Sequence, residues 1–95
     1  MYYTYVLKNP KGILYKGSTE HLGKRISQHN KNIFPGYTHG KGPWTLIYSE
    51  TFNTRRGAED RESFFKTGKG RTYLKTILNN STSQTDSENR RQSAE

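Results

Sequence analysis

The sequence contains no cysteine, and this absence excludes disulfide bonds and metal sites built from thiolates. It also has no apolar run near the roughly 20 residues that a membrane-spanning helix needs. The N-terminal residues lack the charged and then apolar pattern of a secretory signal peptide. We therefore expect an intracellular, cytoplasmic protein that does not interact with a membrane.

Acidic residues are few, with 8 Asp and Glu against 16 Lys and Arg, and the net charge at pH 7 is +8. Residues 79–95 carry three acids and two arginines, and Ala94 is their only apolar side chain. Such a segment cannot bury enough apolar surface to offset its ordering entropy, so we expect a disordered polar tail. Residues 1–78 are left with a charge of +9 and enough chain for one small domain. So basic a domain is expected to bind a polyanion, most often nucleic acid; the alternative is a basic protein with a solvated lysine surface.

Runs of β-forming residues and helix-like segments alternate along residues 1–78. Asn9-Pro10-Lys11-Gly12 has the residues of a β-turn, and the run after it predicts the returning strand of a hairpin. Thr54 is expected to cap the second helix, whereas Gly68 and Gly70 are expected to break the chain after it. The predicted elements are strands at 2–7, 13–16 and 44–52 and helices at 20–30, 55–67 and 71–78, with a long loop at 30–43. This ββαβαα order predicts an α+β fold, a small three-stranded antiparallel sheet flanked by helices.

Gly17 follows the second predicted strand, where it allows a sharp turn or a close approach to another chain or a ligand. Ser18 or Thr19 is expected to cap the first helix with its hydroxyl group. Arg25 and His29 are four residues apart, so they lie on one face of that helix. Local geometry is therefore expected to bring a tyrosine from the strand, an arginine and a histidine to one surface.

Glu62 is the most informative acid, because its spacing from Ala58 and Phe65 places it on or beside the inward face of the second helix. A carboxylate near a core is costly unless it is paired or bound to a metal. It could pair with Arg61, Lys66 or a backbone group. Alternatively, one carboxylate with waters and a substrate phosphate is a common way to hold Mg²⁺.

The other polar candidates have two interpretations each. Arg25 could clamp a phosphate with its planar guanidinium group or lie on a solvated helix face. His29 could act as a base or a hydrogen-bond donor, although most single histidines do neither. Tyr5 and Tyr15 are typical of packing residues, because a tyrosine with the ordinary pKa of about 10 is rarely ionised near pH 7. Catalysis by either would need a neighbouring positive charge, and Trp44 is expected to be a core residue.

These residues, taken in order, resemble the GIY-YIG nuclease family, in particular its short single-domain type with the YhbQ-like proteins and the nuclease domain of Slx-type enzymes. The first motif appears as Tyr3-Thr4-Tyr5, which keeps the final tyrosine, and the second as Tyr15-Lys16-Gly17, which keeps the tyrosine and the glycine. Arg25 and His29 match the arginine and histidine of the family's helix. Glu62 matches the family's metal-binding glutamate. The segments that follow the same pattern are Tyr37-Thr38, Gly42 to Tyr48 and Ala58 to Lys66.

The resemblance covers about residues 2–78 and implies the GIY-YIG nuclease fold and a metal-dependent endonuclease that hydrolyses DNA phosphodiester bonds. It implies that Glu62 holds one ion, Mg²⁺ or Mn²⁺, and that Arg25 stabilises charge on the phosphoryl oxygens. It also implies that Tyr5 or Tyr15, assisted by His29, activates or orients the attacking water. The side chains expected to contact the DNA backbone are Lys16, Lys24, Lys66, Lys69 and Arg71.

The alternative is a non-catalytic nucleic-acid-binding module on the same scaffold. The presence of Tyr15, Arg25, His29 and Glu62 favours the enzyme, because binding alone would not need that glutamate. Ser18 departs from the pattern, since some relatives have a lysine there. The expected substrate is branched or duplex DNA, in the context of DNA repair or recombination and, in a bacterium, at the nucleoid. A protein partner, the long loop or DNA structure is expected to select it.

Overall fold

The computed structural model describes residues 1–32, Gly36 and 38–83, and the chain divides into two compact units, Met1–Ser63 and Phe64–Glu95. The elements in chain order are β1 (Tyr2–Lys8), β2 (Leu14–Thr19), α1 (Leu22–Asn30), β3 (Thr45–Phe52), α2 (Arg55–Phe65) and α3 (Gly68–Ser83). The predicted ββαβαα order and the α+β class are confirmed. No helix among the described residues is long and apolar enough to cross a membrane.

The sheet has the order β2-β1-β3, and β1 pairs antiparallel with both neighbours. Because β1 is the central strand, its residues 4–7 are all buried. The register places Thr4 opposite Ser18 and Tyr5 opposite Gly17. Residues directly opposite each other share a face of the sheet, so Thr4 and Ser18 lie on one face and Tyr5 and Gly17 on the other.

The predicted hairpin turn between β1 and β2 is confirmed. The backbone N–H of Gly12 donates to the Asn9 carbonyl oxygen at 2.9 Å, and Gly12 has a φ of 84°. The Asn9 side-chain oxygen also accepts from the N–H groups of Lys11 at 3.0 Å and Ile13 at 2.8 Å. Asn9 therefore organises this turn with both its backbone and its side chain.

Gly17 lies inside β2 rather than in a turn, because the strand continues to Thr19. A Cβ atom at Gly17 would lie 2.5 Å from the hydroxyl oxygen of Tyr5, so only glycine leaves room for the Tyr5 ring. The prediction of a turn is therefore wrong, and the group that approaches Gly17 closely is the Tyr5 side chain of the neighbouring strand. The predicted cap is also wrong: His21 is the N-cap of α1 and makes no side-chain capping bond, while the Thr19 hydroxyl accepts from the N–H of His21.

The core of the first unit is a cluster of Tyr5, Leu7 and Trp44, with Leu22 and Ile26 of α1 packed against it. Trp44 is buried, as predicted, and its indole N–H donates to the carbonyl oxygen of Thr38 at 3.1 Å. Full burial of a side chain such as Leu7 stabilises the fold by about 1.5–3 kcal/mol. The described residues between α1 and β3 form turns and bends, in agreement with the predicted loop.

Thr54 caps α2 as predicted, since its hydroxyl accepts from the N–H of Gly57 at 3.0 Å. Gly68 and Gly70, in contrast, do not break the chain, because α3 begins at Gly68. The Thr67 hydroxyl accepts from the N–H of Gly70 at 3.0 Å and caps α3. A Cβ atom at Gly70 would lie 1.6 Å from the carbonyl oxygen of Phe64, so this glycine is needed for packing rather than for a break.

The helix α3 continues to Ser83, five residues past the predicted domain boundary at residue 78. Each added helical residue gains one backbone hydrogen bond once the helix has started, so polar residues can extend it. Tyr37 and residues 84–95 lie outside the described residues, and the disordered tail stays a prediction.

Candidate active site

Tyr5, His29 and Thr38 form a chain of hydrogen bonds inside the first unit, which we call the buried chain. The hydroxyl oxygen of Tyr5 lies 2.9 Å from Nε2 of His29, and Nδ1 of His29 lies 2.8 Å from Oγ1 of Thr38. The three residues are only 1%, 3% and 2% exposed. The expectation that the histidine lies at a surface is therefore wrong, because the Thr38 side chain contacts one edge of its ring and Tyr5 the other.

Tyr15 lies in β2 and is half-buried. Its ring centroid is 5.0 Å from that of His29, 6.3 Å from that of Tyr5 and 6.4 Å from that of Trp44. The Tyr15 ring therefore packs against the buried chain, and it is more exposed than the other members of this aromatic group.

Burial and charge act on the two titratable groups of the buried chain. Burial raises the pKa of Tyr5 far above its ordinary value, and Tyr15 and Glu62 raise it further. Arg25 opposes this shift through its positive charge and a side-chain hydrogen bond to Tyr5, but it lowers the Tyr5 pKa by less. Burial, with a contribution from the positive charge of Arg25, lowers the pKa of His29. Both groups are therefore neutral at pH 7, a phenol beside a neutral imidazole.

Glu62 is half-buried on α2, and Ser18 Oγ donates to its Oε1 at 2.7 Å. Arg61, one of the expected pairing residues, makes a two-pronged contact with Glu50 at 2.9 and 3.1 Å. The negative charge of Glu62 also contributes, as the smallest of the causes, to the raised pKa of Tyr5. Ser18, Arg25 and Glu62, all half-buried, are called the open set below.

The carboxylate of Glu62 fits a divalent ion that is only partly coordinated by protein. Among residues 1–32, Gly36 and 38–83, no group of three or more His, Asp or Glu side chains could hold a metal. Mg²⁺ usually keeps several waters and binds one or two carboxylates with a substrate phosphate. One carboxylate, oriented by a serine hydroxyl, is consistent with that mode and not with a cage made by protein alone.

A cavity of about 180 Å³ lies next to the open set, and Ser18 and Arg25 belong to its walls. The guanidinium carbon of Arg55 lies 5.5 Å from the ring centroid of Tyr2, so a second arginine side chain is held at this cavity. Its lining residues are Tyr2, Ser18, Thr19, Glu20, His21, Arg25, Arg55, Ala58 and Glu59. The cavity thus combines two guanidinium groups, two carboxylates and three hydroxyl groups.

The structure brings His29, Tyr15 and Arg25 to Tyr5, whereas Glu62 acts on Tyr5 only through its charge. His29 is hydrogen-bonded to it, Tyr15 packs near it, and Arg25 and Glu62 act on its pKa. Of the predicted DNA contacts, Lys16 in β2 is half-buried and Lys24 on α1 is exposed. The others lie in the second unit and are also exposed: Lys66, Lys69 and Arg71.

Sequence reasoning missed Thr38 and the role of Ser18. A signal for Ser18 exists, because strand alternation places it on the same face as Thr4, whose hydroxyl donates to the Ala58 carbonyl oxygen of α2 at 2.7 Å. That face is therefore the one that α2 covers. Thr38 lies in a loop, where no periodicity predicts which side chain it contacts.

A family model described as the GIY-YIG catalytic domain matches residues 1–75. The chain is 44% identical over 66 residues to a UPF0213 protein of Clostridium perfringens, which covers 70% of this chain and 71% of that protein. It has the same identity over 66 residues to a UPF0213 protein of Bacillus pumilus, covering 70% and 67%. The solution NMR structure of a UPF0213 protein from Bacillus halodurans has a TM-score of 0.52 and 26% identity, covering 92% of this chain and 100% of that one. A solution NMR structure of an E. faecalis protein has the same TM-score at 30% identity and covers 94% of both chains.

Proposed function

The chain belongs to the GIY-YIG family of nuclease domains, and on that premise we propose that it is a metal-dependent endonuclease that hydrolyses DNA phosphodiester bonds. The observation that carries the proposal is the contact of His29 and Tyr15 with Tyr5, together with Arg25 beside Tyr5 and a half-buried Glu62 hydrogen-bonded to the adjacent strand. A scaffold that only binds nucleic acid would not need a carboxylate close to the phosphates. The proposal therefore assigns each of these side chains a part in the reaction.

Glu62 would hold the divalent ion, Mg²⁺ or Mn²⁺, and the hydrogen bond from Ser18 orients its carboxylate for this task. When bound, such an ion supplies Lewis-acid stabilisation of the charge that develops on the scissile phosphate. Arg25 lies at the border of the cavity and next to Tyr5, where its guanidinium group can donate to phosphoryl oxygens. The loss of one such donor typically costs about 3 kcal/mol of transition-state stabilisation.

Tyr15 is the tyrosine that we assign to the attacking water. Tyr5 is 1% exposed and has a raised pKa, so its hydroxyl group is poorly placed to meet a water and is not ionised near pH 7, as a general base would need to be. Tyr15 is half-buried, and its ring is held by contacts with His29 and Trp44. Tyr5 and His29 then hold Tyr15 and Arg25 in place through ring contacts and a hydrogen bond, and water reaches Tyr15 at its exposed part.

The basic surface supports DNA as the substrate. With a net charge of +8, two guanidinium groups at the cavity and exposed lysines, the protein is suited to contact phosphates rather than base edges. We propose that it selects branched or duplex DNA by structure or through a protein partner, in repair or recombination. A DNA substrate would place it in the cytoplasm, at the nucleoid.

The variant Glu62→Gln tests the proposal, because it keeps the side-chain shape and removes the negative charge that attracts the ion. We expect cleavage of labelled branched and duplex DNA to fall to background in the presence of Mg²⁺, while DNA binding persists or becomes tighter. Asp60→Asn is the matched control, since this exposed acid lies on the same helix and only pairs with Arg56. It should cut like the wild type.

The rival, a binding module without catalysis, has one observation in its favour, namely that Tyr5 and His29 are buried. It predicts salt-sensitive DNA binding and no metal-dependent cleavage of any DNA in the panel by the wild-type protein. A folded Glu62→Gln protein that binds DNA and cuts at the wild-type rate would overturn the proposed mechanism.

A further inference from the structure

Thr38 is a buried residue in the loop between α1 and β3, and its backbone is held by a core residue. Its carbonyl oxygen accepts the indole N–H of Trp44, a core residue, at 3.1 Å. Its side-chain oxygen lies 2.8 Å from Nδ1 of His29. A core tryptophan thus holds Thr38. The threonine contacts one edge of the His29 ring, and Tyr5 contacts the opposite edge.

The direction of the hydrogen bonds follows from the donors that surround Tyr5. A guanidinium group has donors only, so the phenol oxygen of Tyr5 accepts from Arg25. The single O–H of Tyr5 then has Nε2 of His29 as its acceptor at 2.9 Å. A neutral imidazole that accepts at Nε2 carries its proton on Nδ1. That N–H in turn needs an acceptor, and Thr38 Oγ1 lies at the required distance.

The opposite tautomer is disfavoured for a physical reason. If Nε2 carried the proton, two donors, His29 and Arg25, would point at the same phenol oxygen, and the buried O–H of Tyr5 would lose its acceptor. A buried donor without an acceptor is costly, because it has been removed from water without compensation.

We propose that Thr38 is a positioning residue that stabilises the Nδ1–H tautomer of His29 by accepting its N–H, so that Nε2 remains free to accept the hydrogen bond from Tyr5. The hydrogen bonds then run in one direction, from Arg25 to Tyr5, to His29 and to Thr38. In this arrangement a lone pair of the Tyr5 oxygen faces Arg25 and holds its guanidinium group. Thr38 thereby acts on Arg25 through two intervening side chains, and the catalytic consequence of this step rests on the proposed nuclease function.

The test is the protonation of the two His29 ring nitrogens in the full-length ¹⁵N-labelled protein. Long-range ¹H–¹⁵N spectra near pH 8, where the imidazole is neutral, distinguish a protonated ring nitrogen from an unprotonated one. For the wild type we expect a proton on Nδ1 and none on Nε2. A proton on Nε2 in the wild type would overturn the proposal without any variant.

Two variants separate tautomer selection from packing. Thr38→Val keeps the branched shape and removes the hydroxyl group, and the bond from Trp44 is retained because it goes to the backbone. We expect this variant to shift His29 toward the Nε2–H tautomer and to lower cleavage roughly tenfold. Thr38→Ser restores a hydroxyl and is expected to recover both the wild-type tautomer and most of the cleavage. An unchanged tautomer in Thr38→Val, or no recovery in folded Thr38→Ser, would contradict the proposal.

The ring-nitrogen measurement needs no substrate, so it is independent of the proposed nuclease function. If the wild type cut no DNA but carried the His29 proton on Nδ1, and lost it in Thr38→Val, the tautomer selection would stand and the nuclease proposal would fail. If the wild type cut DNA and Thr38→Val had the wild-type tautomer and rate, the nuclease proposal would stand and the role of Thr38 would fail.

Discussion

The two faces of the sheet differ in what they bring to the candidate active site. On the face that carries Tyr5 and Gly17, α1 and the loop enclose a chain of neutral hydrogen-bonding groups. On the face that carries Ser18, α2 presents the Glu62 carboxylate, which is half-buried and charged. A difference of one residue in β2 thus separates Gly17, which faces the buried hydrogen-bonded residues, from Ser18, which contacts a half-buried carboxylate.

This difference has an electrostatic consequence. Burial keeps Tyr5 and His29 neutral, so proton positions on that face are determined by which donor meets which acceptor. On the other face Glu62 keeps its interaction with a serine and remains accessible to a cation. Arg25 acts on both, since it lies beside Tyr5 and also lines the cavity next to Ser18. Substitutions on the Tyr5 face are expected to change mainly stability, whereas substitutions on the Glu62 face are expected to change mainly DNA cleavage.

The largest effect on stability is expected from Gly17→Ala, which forces a methyl group into the buried face. The added Cβ would lie 2.5 Å from the Tyr5 hydroxyl oxygen and 2.6 Å from Cζ, and the ring is enclosed by α1. We expect the free energy of unfolding to fall by about 3 kcal/mol, the upper range for overpacking a core. Chemical denaturation measures this loss directly.

Gly23→Ala is the matched control for this change. Nothing lies within 4 Å of a Cβ at Gly23, and the residue is in α1. Alanine there should stabilise the protein by about 0.5–1 kcal/mol, because glycine is a poor helix former. Equal stabilities for Gly17→Ala and the wild type would mean that the Tyr5 ring has room to move.

Alkaline pH provides a second way to probe the buried face. The pKa of Tyr5 is raised in the folded protein, so the folded chain keeps a proton that the unfolded chain releases above pH about 10. Stability should therefore fall as pH rises from that value toward the folded-state pKa, at about 1.4 kcal/mol per pH unit for this one proton. Tyr5→Phe should lack this part of the decline.

The control for the alkaline profile is Tyr73→Phe, since Tyr73 is 46% exposed. Its stability curve provides the reference for removing one phenol group outside the buried face. If Tyr5→Phe ran parallel to the wild type in denaturant titrations, Tyr5 would not be the group that retains its proton.

On the open face, Ser18→Ala removes the hydroxyl group that orients Glu62. We expect cleavage to fall about tenfold, the low end of the loss for groups that orient a metal ligand, while unfolding free energy changes by about 1 kcal/mol or less. Higher Mg²⁺ concentration should restore part of the rate. Ser49→Ala, at an exposed position of β3, is the control for serine removal and should leave the rate unchanged. If Ser18→Ala cut DNA at the wild-type rate and with the wild-type Mg²⁺ dependence, Ser18 would have no role in orienting Glu62.

The smallest effect is expected at the cavity wall. Arg55→Ala should weaken DNA binding a few-fold and reduce the slope of log affinity against log salt by about 0.9, the value for one lost phosphate contact on duplex DNA. Arg56→Ala is the control, because the neighbouring Arg56 is exposed, pairs with Asp60 and is not part of the cavity lining. Fluorescence anisotropy between roughly 50 and 200 mM salt measures both. Identical slopes for the two variants would exclude the cavity from DNA binding.

Much of the local structure follows from the sequence by itself, because it depends on residues close together in the chain. The hairpin turn follows from Asn9 to Gly12, the start of α2 from Thr54, and the stripe of Arg25 and His29 from helical spacing. The inward tendency of Glu62 follows from its spacing to Ala58 on one helix. These interactions span a few residues, so their partners can be identified without knowing the fold.

Only the tertiary structure decided what each of these side chains meets. Gly17 faces Tyr5 across two strands, Ser18 reaches Glu62 over 44 residues of sequence, and Thr38 meets His29 from a loop. Each of these contacts depends on strand register and on how a loop crosses a helix, neither of which leaves a periodic signal. The same holds for the burial that shifts two pKa values, since desolvation is a property of the packed interior and not of any segment.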